Sequence, residues 1–335
     1  MQSVKNNLIV TQSFGRESEY RRVILAILSV FVYVKPTDIK VVLYTDKPIF
    51  FEKWFKGLDV EFVLLTPEKV KEMRGEIDFL HRMKIALIEE TFVSHPNANI
   101  FYVDSDTFFN DTPLPILNAV NENKAFMHLI EYEFAYLKDL PLPAGETFQA
   151  FYKYINSTIF TLNDGTSVKI NNDNHSWNAG IMCFHSAHVR FIKDVYLLTD
   201  KFYPATLNHA SEQYAFSIML EKFTELQSCE SVVYHYWYRI KKQVIDLLLA
   251  ESDFITLENT DISHKISSLK PFLQKLPFYL DNHYLSLLDN AVQAFNEDNL
   301  AKGYSFYFKA LSKKPFIALN QWRDVLYHTK RLLFK

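Results

Sequence analysis

The chain reads as an α/β protein: a mostly parallel sheet with helices on both faces, followed by a helical carboxyl-terminal region. Three observations predict it. The first 106 residues alternate strand-like and helix-like patterns. The strand-like runs are almost continuously apolar, as strands covered on both faces are. After residue 246 the pattern becomes helical and polar-periodic. With 335 residues, 48% hydrophobic and 16% aromatic, the chain can bury a large core. The division expected is residues 1–245 and 246–335.

Taken in order, "NLIVTQSF" (7–14) is a buried strand closed by Gly15, and "GRESEYRR" opens a helix through about Val34. Its run "VILAILSVFVYV" (23–34) is too short to span a bilayer and reads as a buried helix. "DIKVVLYTDKP" (38–48) and "DVEFVLLTPE" (59–68) are the next strands, the former ending in Asp46. "EIDFLHRMKIALIEETF" (76–92) is expected as one helix and "NIFYVDSD" (99–106) as the fourth strand. Residues 131–175 are irregular and rich in turn formers. "AGIMCFH" (179–185) reads as a strand followed by a helix from about Ala187, and "SVVYHYWYR" (231–239) as another strand. "LAKGYSFYFKALSKKP" resembles a helical-repeat consensus, but a single copy is not a repeat.

Charge is nearly balanced, 36 basic against 39 acidic residues, which gives no reason to expect a nucleic-acid partner. From Pro271 onward nine Lys/Arg face five Asp/Glu, a net of +4, and the remainder carries 27 minus 34, or −7. The segment 313–335 mixes Phe316, Trp322, Leu326 and Phe334 with six basic residues, a composition that suits a peripheral helix on anionic lipid. The simpler expectation is a docked helix whose aromatics Trp322, Tyr327 and Phe334 belong to the core. Cys183 and Cys229 stand far apart without a CxxC pairing, so neither a disulfide framework nor a zinc module is expected. The amino terminus lacks the pattern of a signal peptide, and a cytoplasmic protein is the expectation.

The fourth strand runs into Asp104 and Asp106, with Asp111 soon after. Carboxylates at the end of a buried strand need compensation by a metal, a basic neighbour or water. Ligands of parallel sheets bind beyond the carboxyl ends of the strands, so Asp46 and the aspartate pair should share one rim. There is no GxxxxGK[ST] and no strand-borne GxGxxG, and only seven glycines in all. Phosphates would therefore have to be met by something other than a glycine loop, and a divalent cation held by paired aspartates does this.

In this context the sequence resembles the GT-A fold glycosyltransferases, and among them family 8, the glycogenin-like and bacterial lipopolysaccharide galactosyltransferase-like enzymes. "FYVDSDTFF" looks like that family's DxD strand, "DFLHRMKIALIEE" like the helix with a donor-contacting Arg, "SWNAGIMCFH" like its Asn-Ala-Gly strand, and "HASEQYAFSIML" like its acidic-Gln helix start. "VYHYWYRIKK" matches the His-x-x-Gly-x-x-Lys motif in part: His235 and Lys241 keep the spacing, Tyr238 replaces the glycine, and the usual Pro-Trp is absent. The likeness covers about residues 7–245. It implies a GT-A, Rossmann-like catalytic domain and a divalent metal, Mn²⁺ or Mg²⁺, on Asp104, Asp106 and His235. It further implies a nucleoside-diphosphate sugar, UDP-linked, contacted by Arg82, Lys84, Ser105, Gly180 and Lys241. Asn178, Glu212 and Gln213 would orient the transferred sugar, which moves with retention to a glycan, lipid or protein acceptor.

Each residue also has a plainer reading. Asp104 and Asp106 could be a solvated strand end, Glu212 a first-turn acid at a helix dipole, His235 a hydrogen-bonded core histidine, and Arg82 and Lys84 solvated helix charges. Rival activities fare worse. An aspartyl-phosphate phosphatase places its Asp-x-Asp near the amino terminus with a hydroxyl residue where Phe108 stands here. A nucleotidyltransferase needs a Gly-rich loop after the first strand, where "TQSFGRESEY" offers one Gly. A homologue that binds nucleotide sugar without turnover is the remaining alternative.

Overall fold

A computed structural model of the chain describes residues 7–251 and 254–315 and, beyond them, 323, 326, 327 and 329–331. It divides into two compact units, Met1–His235 and Tyr236–Lys335.

The first unit runs β1 (Asn7–Ser13), α1 (Glu17–Val30), β2 (Lys40–Thr45), α2 (Pro48–Phe55), β3 (Val60–Leu64), α3 (Pro67–Arg74), α4 (Arg82–Ser94) and β4 (Asn99–Val103). It continues with β5 (Thr107–Phe109), α5 (Leu114–Ala119), β6 (Lys124–Met127), β7 (Ile130–Glu133), α6 (Glu146–Ser157), β8 (Ile159–Thr161), β9 (Ser167–Lys169) and β10 (His175–Trp177). It closes with β11 (Ile181–Phe184), α7 (Ile192–Thr206), α8 (Ser211–Phe223), β12 (Glu225–Ser228) and β13 (Val233–His235).

Seven strands form the main sheet in the order β12-β6-β11-β4-β1-β2-β3. The strands β3, β2, β1 and β4 are parallel neighbours, and β12 is parallel to β6. Only β11 runs against its neighbours, β4 on one side and β6 on the other. Consecutive residues Leu8, Ile9 and Val10 are fully buried, so both faces of β1 are covered. On α1 every residue from Val23 to Val30 is buried, which accounts for its unbroken apolar run. The Ser29 hydroxyl near its end accepts a hydrogen bond from the Phe109 backbone at 2.8 Å, pinning β5 to the helix. That matters because β5 pairs with β13, setting His235 opposite Thr107.

Two stretches differ from the sequence expectation. The helix expected over 76–92 begins only at Arg82. Gly75 (φ 68) and Asp78 (φ 50) adopt left-handed backbone that no helix interior accepts. The 131–175 region is more regular than its composition suggests, with β7 paired to β10, a β8–β9 hairpin, and α6 burying Phe151 and Ile155.

His188 occupies the turn before α7, 1% exposed. Its Nδ1 accepts from the His185 backbone at 3.3 Å, and its Nε2 lies 3.3 Å from the Glu122 carbonyl. Burial pushes this imidazole down from 6.5 to about 4. As pH falls through 6.5 towards 4, the unfolded chain takes up a proton that the folded chain refuses, so stability declines. The slope from one such group is at most about 1.4 kcal/mol per pH unit. His188→Asn, whose amide oxygen can still accept, is expected to flatten the stability profile in that window. Urea unfolding across the window measures it, and parallel profiles for the two proteins would refute the assignment.

The second unit contains α9 (Arg239–Glu251), α10 (Ile262–Asn282), α11 (Tyr284–Asn296) and α12 (Leu300–Lys313). Here α11 and α12 form an antiparallel hairpin burying Leu287, Ala291, Phe295, Tyr307 and Ala310. Gly303 makes the close approach feasible, since a Cβ there would lie 2.3 Å from the Phe295 ring. Tyr327, expected in the core, is 65% exposed. Its neighbour Thr329 meets α12 through a polar contact instead, its hydroxyl lying 2.6 Å from Tyr304 Oη. Phe316, Trp322 and Phe334, three of the four apolar residues of the expected lipid-facing helix, lie outside the described residues, and the fourth, Leu326, is 64% exposed. Among the described residues no helix is long and apolar enough to cross a membrane.

Candidate functional site

The carboxyl ends of β1, β2 and β4 lie along one edge of the sheet because the three strands are parallel and paired in register. At that edge Asp46 accepts from the Gly15 backbone at 3.1 Å and from Tyr20 Oη at 2.8 Å. Burial and the Asp46 hydrogen bond push the Tyr20 phenol up to about 12.

The strand β4 ends one residue before Asp104, whose backbone N–H donates to the Gly180 carbonyl at 2.8 Å. Antiparallel pairing with β11 therefore brings the Asp104–Ser105–Asp106 and Asn178–Ala179–Gly180 segments side by side. The ribbon of β5 and β13 adds His235. One ligand atom from each of Asp104, Asp106 and His235 falls within 4.8 Å of the others. Asp106 and His235 are buried, 5% and 8% exposed.

Hydrogen bonding fixes which way His235 presents itself. Asn178 Nδ2 donates to Glu131 Oε1 at 2.9 Å, and its Oδ1 accepts from the Gly180 backbone at 3.0 Å. That network assigns the amide orientation and places Oδ1 at 3.0 Å from His235 Nδ1. Facing an acceptor, Nδ1 carries a hydrogen, and Nε2 is the ring nitrogen turned to Asp106, 3.4 Å from its Oδ1. That contact is favourable with a proton on Nε2, or with a cation between the carboxylate and the lone pair of the neutral ring. Metal-ligating histidines are oriented in this way, with the other ring nitrogen donating to a carbonyl or carboxylate. Gly180 provides the room: a Cβ there would sit 2.1 Å from the His235 ring.

Lys84 lies beneath the cluster, fully enclosed on α4. Its Nζ is 3.0 Å from the Ala179 carbonyl, 3.4 Å from Asp104 Oδ2 and 3.2 Å from Glu212 Oε1. Burial works against its charge, but Asp104 and Glu212 outweigh burial and raise its pKa. Tyr102 donates its hydroxyl hydrogen to Asp104, and burial together with that carboxylate raises the phenol's pKa strongly. Asp104, Asp106 and Glu212 bring three negative charges against one ammonium. The oxygen-rich donor set and this surplus of negative charge fit Mn²⁺ or Mg²⁺.

The remaining expected residues fall into two groups. Gln213 joins the cluster as a brace: its Oε1 accepts from the Ala179 backbone at 3.1 Å, and its Nε2 donates to Glu131 at 2.7 Å and Ser176 at 2.8 Å. Ser105 donates to Glu19 on α1 at 2.8 Å. Arg82, by contrast, is not brought to the aspartates. It stands two residues before Lys84 on α4, roughly 200° around the helix, and its guanidinium grips Asp200 on α7 with bonds of 2.7 and 3.1 Å. Lys241 belongs to the second unit, where it pairs with Asp281 at 2.8 Å.

Sequence reasoning missed Glu131. It accepts from Asn178, Gln213 and Ser176 and so ties the two amides together. Nothing in "HLIEYEF" marks it; only the pairing of β7 with β10 brings it here.

No family model and no curated protein matches the chain. Among solved structures it is similar to the galactosyltransferase LgtC in complex with donor and acceptor sugar analogues, at 12% identity over 63% of this chain and 70% of that one, TM-score 0.40. Apo mouse xyloside xylosyltransferase 1 aligns at 10% identity over 66% and 84% of the two chains, TM-score 0.43. Apo GlyE of Streptococcus pneumoniae TIGR4 aligns at 10% identity over 79% and 63%, TM-score 0.47. All three are glycosyltransferases. With identities this low and scores below 0.5, the chemistry of the present chain rests on its own site.

Proposed function

We propose that the chain is a GT-A glycosyltransferase that moves a sugar from a nucleoside-diphosphate sugar, UDP-linked, to a hydroxyl of a glycan, lipid or protein. One observation carries the reading. An Asp–Asp–His set, with Asp106 and His235 buried and Asp104 half-buried, stands at the carboxyl edge of a mainly parallel sheet, and the histidine is held so that its Nε2 faces a carboxylate. Asp104, Asp106 and His235 would hold Mn²⁺ or Mg²⁺, which when bound supplies Lewis-acid stabilisation of the leaving diphosphate.

The chain's own groups supply the rest. Asn178 keeps the imidazole in its Nδ1–H form, and Glu131 keeps Asn178 from turning over. Gln213 steadies the Ala179–Gly180 backbone that Asp104 pairs with. Lys84 offsets part of the negative charge beside Asp104 and Glu212. Retention of anomeric configuration is what the family resemblance implies, with the sugar lying against Asn178, Glu212 and Gln213.

The test is a thermal-shift panel of UDP, GDP, ADP and CMP with and without Mn²⁺, followed by hydrolysis assays with the matching sugar nucleotides. A ligand that binds only the folded state must raise apparent stability. UDP with Mn²⁺ is expected to give the largest rise, reversed by EDTA. No metal-dependent response to any nucleotide would overturn the reading, and binding without turnover would leave a non-catalytic binding protein.

Gly180→Ala isolates the histidine. Gly180 is absent from the positive-φ residues, so alanine suits the backbone, but the new Cβ must displace the His235 ring. Mn²⁺ affinity is expected to fall about 10–100-fold, as when the support of a metal ligand is disturbed. Metal titration measures it, and an unchanged affinity would remove His235 from the set.

A further inference from the structure

The helical unit contains a cavity of about 190 Å³ that the transfer chemistry does not use. Along α11, Ser286, Asp289, Asn290 and Gln293 line it, spaced i, i+3, i+4 and i+7, so one polar stripe of the helix faces inward. The opposite stripe, Leu287, Ala291 and Phe295, is packed against α12. Polar helix faces ordinarily meet bulk water. This one lines a half-open hollow.

The remaining walls are Tyr238 and Ile240 at the start of α9, together with Lys241 and Asp281. Tyr238 is 54% exposed and stacks on Trp237 with ring centroids 5.0 Å apart, which stiffens it as an aromatic shelf. Asp289 accepts from Gln293 at 2.8 Å, and Lys241 pairs with Asp281 at 2.8 Å. Ser286 is 4% exposed, and among the described residues its hydroxyl has no hydrogen-bond partner. Buried polar atoms are satisfied in nearly all folded proteins, so an orphaned hydroxyl on a cavity wall points to an occupant.

We propose that this cavity binds one uncharged hexose unit of a glycan. A pyranose ring offers hydroxyls that both donate and accept, matching the two carboxylates, two amides, ammonium and serine around the cavity, and a C–H face that packs on an aromatic ring. Size agrees: the volume is about six waters' share of liquid and lies below the ~300–1,000 Å³ of pockets for drug-sized ligands. Charge agrees as well. Two carboxylates against one ammonium leave the cavity negative, which repels a phosphate. Lys241 is thereby assigned to this cavity. The inference stands apart from the transfer reading, since binding here requires neither metal nor nucleotide.

The experiment is saturation-transfer NMR on the full chain with four probes: the methyl glycosides of glucose, galactose, N-acetylglucosamine and mannose. Tyr238→Ala and Asp289→Asn serve as variants, both at positions open to solvent. At least one probe is expected to bind the wild type, and each variant is expected to weaken it about tenfold or more. The far-ultraviolet circular dichroism and the melting temperature without ligand should be the same in all three proteins, which shows that the variants fold. Silence from all four probes would overturn the proposal, as would equal affinity in wild type and both variants. Displacement of the bound glycoside by inorganic pyrophosphate would overturn it too, by showing that the cavity takes an anion.

Discussion

Asp106→Asn is expected to abolish the thermal response to Mn²⁺ and to lower turnover about 10²–10³-fold, since a Lewis-acid metal supplies several kcal/mol of transition-state stabilisation. The fold should survive. Asp106 Oδ1 stands 3.4 Å from His235 Nε2, and an asparagine can turn its NH₂ towards that nitrogen of the neutral ring. In metal-free solution a hydrogen bond thus replaces the carboxylate contact, so the melting temperature without metal should change little. Calorimetry with and without Mn²⁺, alongside a turnover assay, separates the two effects. A variant that still responds fully to Mn²⁺ would show that the aspartate pair is no metal site. One that simply unfolds would make the pair structural.

Lys84→Met should act in the opposite sense, on stability first. The lysine and Glu212 side chains are 6% and 4% exposed, so removing the ammonium strands a carboxylate in a dry interior. Breaking one side of a buried ion pair costs about 3–5 kcal/mol. For a unit of this size that is a melting-temperature drop on the order of 10 °C. Glu212→Gln in the same chain should restore a large part of the loss, because the uncompensated charge goes with it. Denaturant unfolding of the two single variants and the double variant gives the coupling energy. Additive losses would mean that the lysine is held by Asp104 and the Ala179 carbonyl and not by Glu212.

Much of the first unit is legible in the sequence because its strands are apolar on both faces and its connections are helical. The aspartates at the end of the fourth strand stand out for the same reason, as charges closing a buried run. Direction is less legible. An apolar run such as "IMCF" carries no mark that it will lie antiparallel in an otherwise parallel sheet, and only that reversal sets Gly180 beside Asp104. Arg82 and Lys84 look equivalent in sequence, yet helical geometry lets only one of two such residues face the cluster. The structure gives that place to the residue with the shorter reach and a dry setting. Glu131 is illegible for a different reason: its partners Asn178 and Gln213 lie 47 and 82 residues away, and no local pattern encodes such a meeting.

The two-stranded ribbon of β5 and β13 has a consequence for the order of assembly. His235 is the last residue of the first unit, and Asn178, which orients it, is made 57 residues earlier. At ordinary rates of synthesis the interval between Asp106 and His235 leaving the ribosome is on the order of ten seconds. Until then the hollow over Gly180 has no imidazole to fill it, and the acidic pair faces the cell with its third partner still unmade. A nascent chain therefore passes through a stage with a nearly complete sheet whose aspartate pair lacks its histidine, and the three side chains come together only as the helical unit begins to emerge.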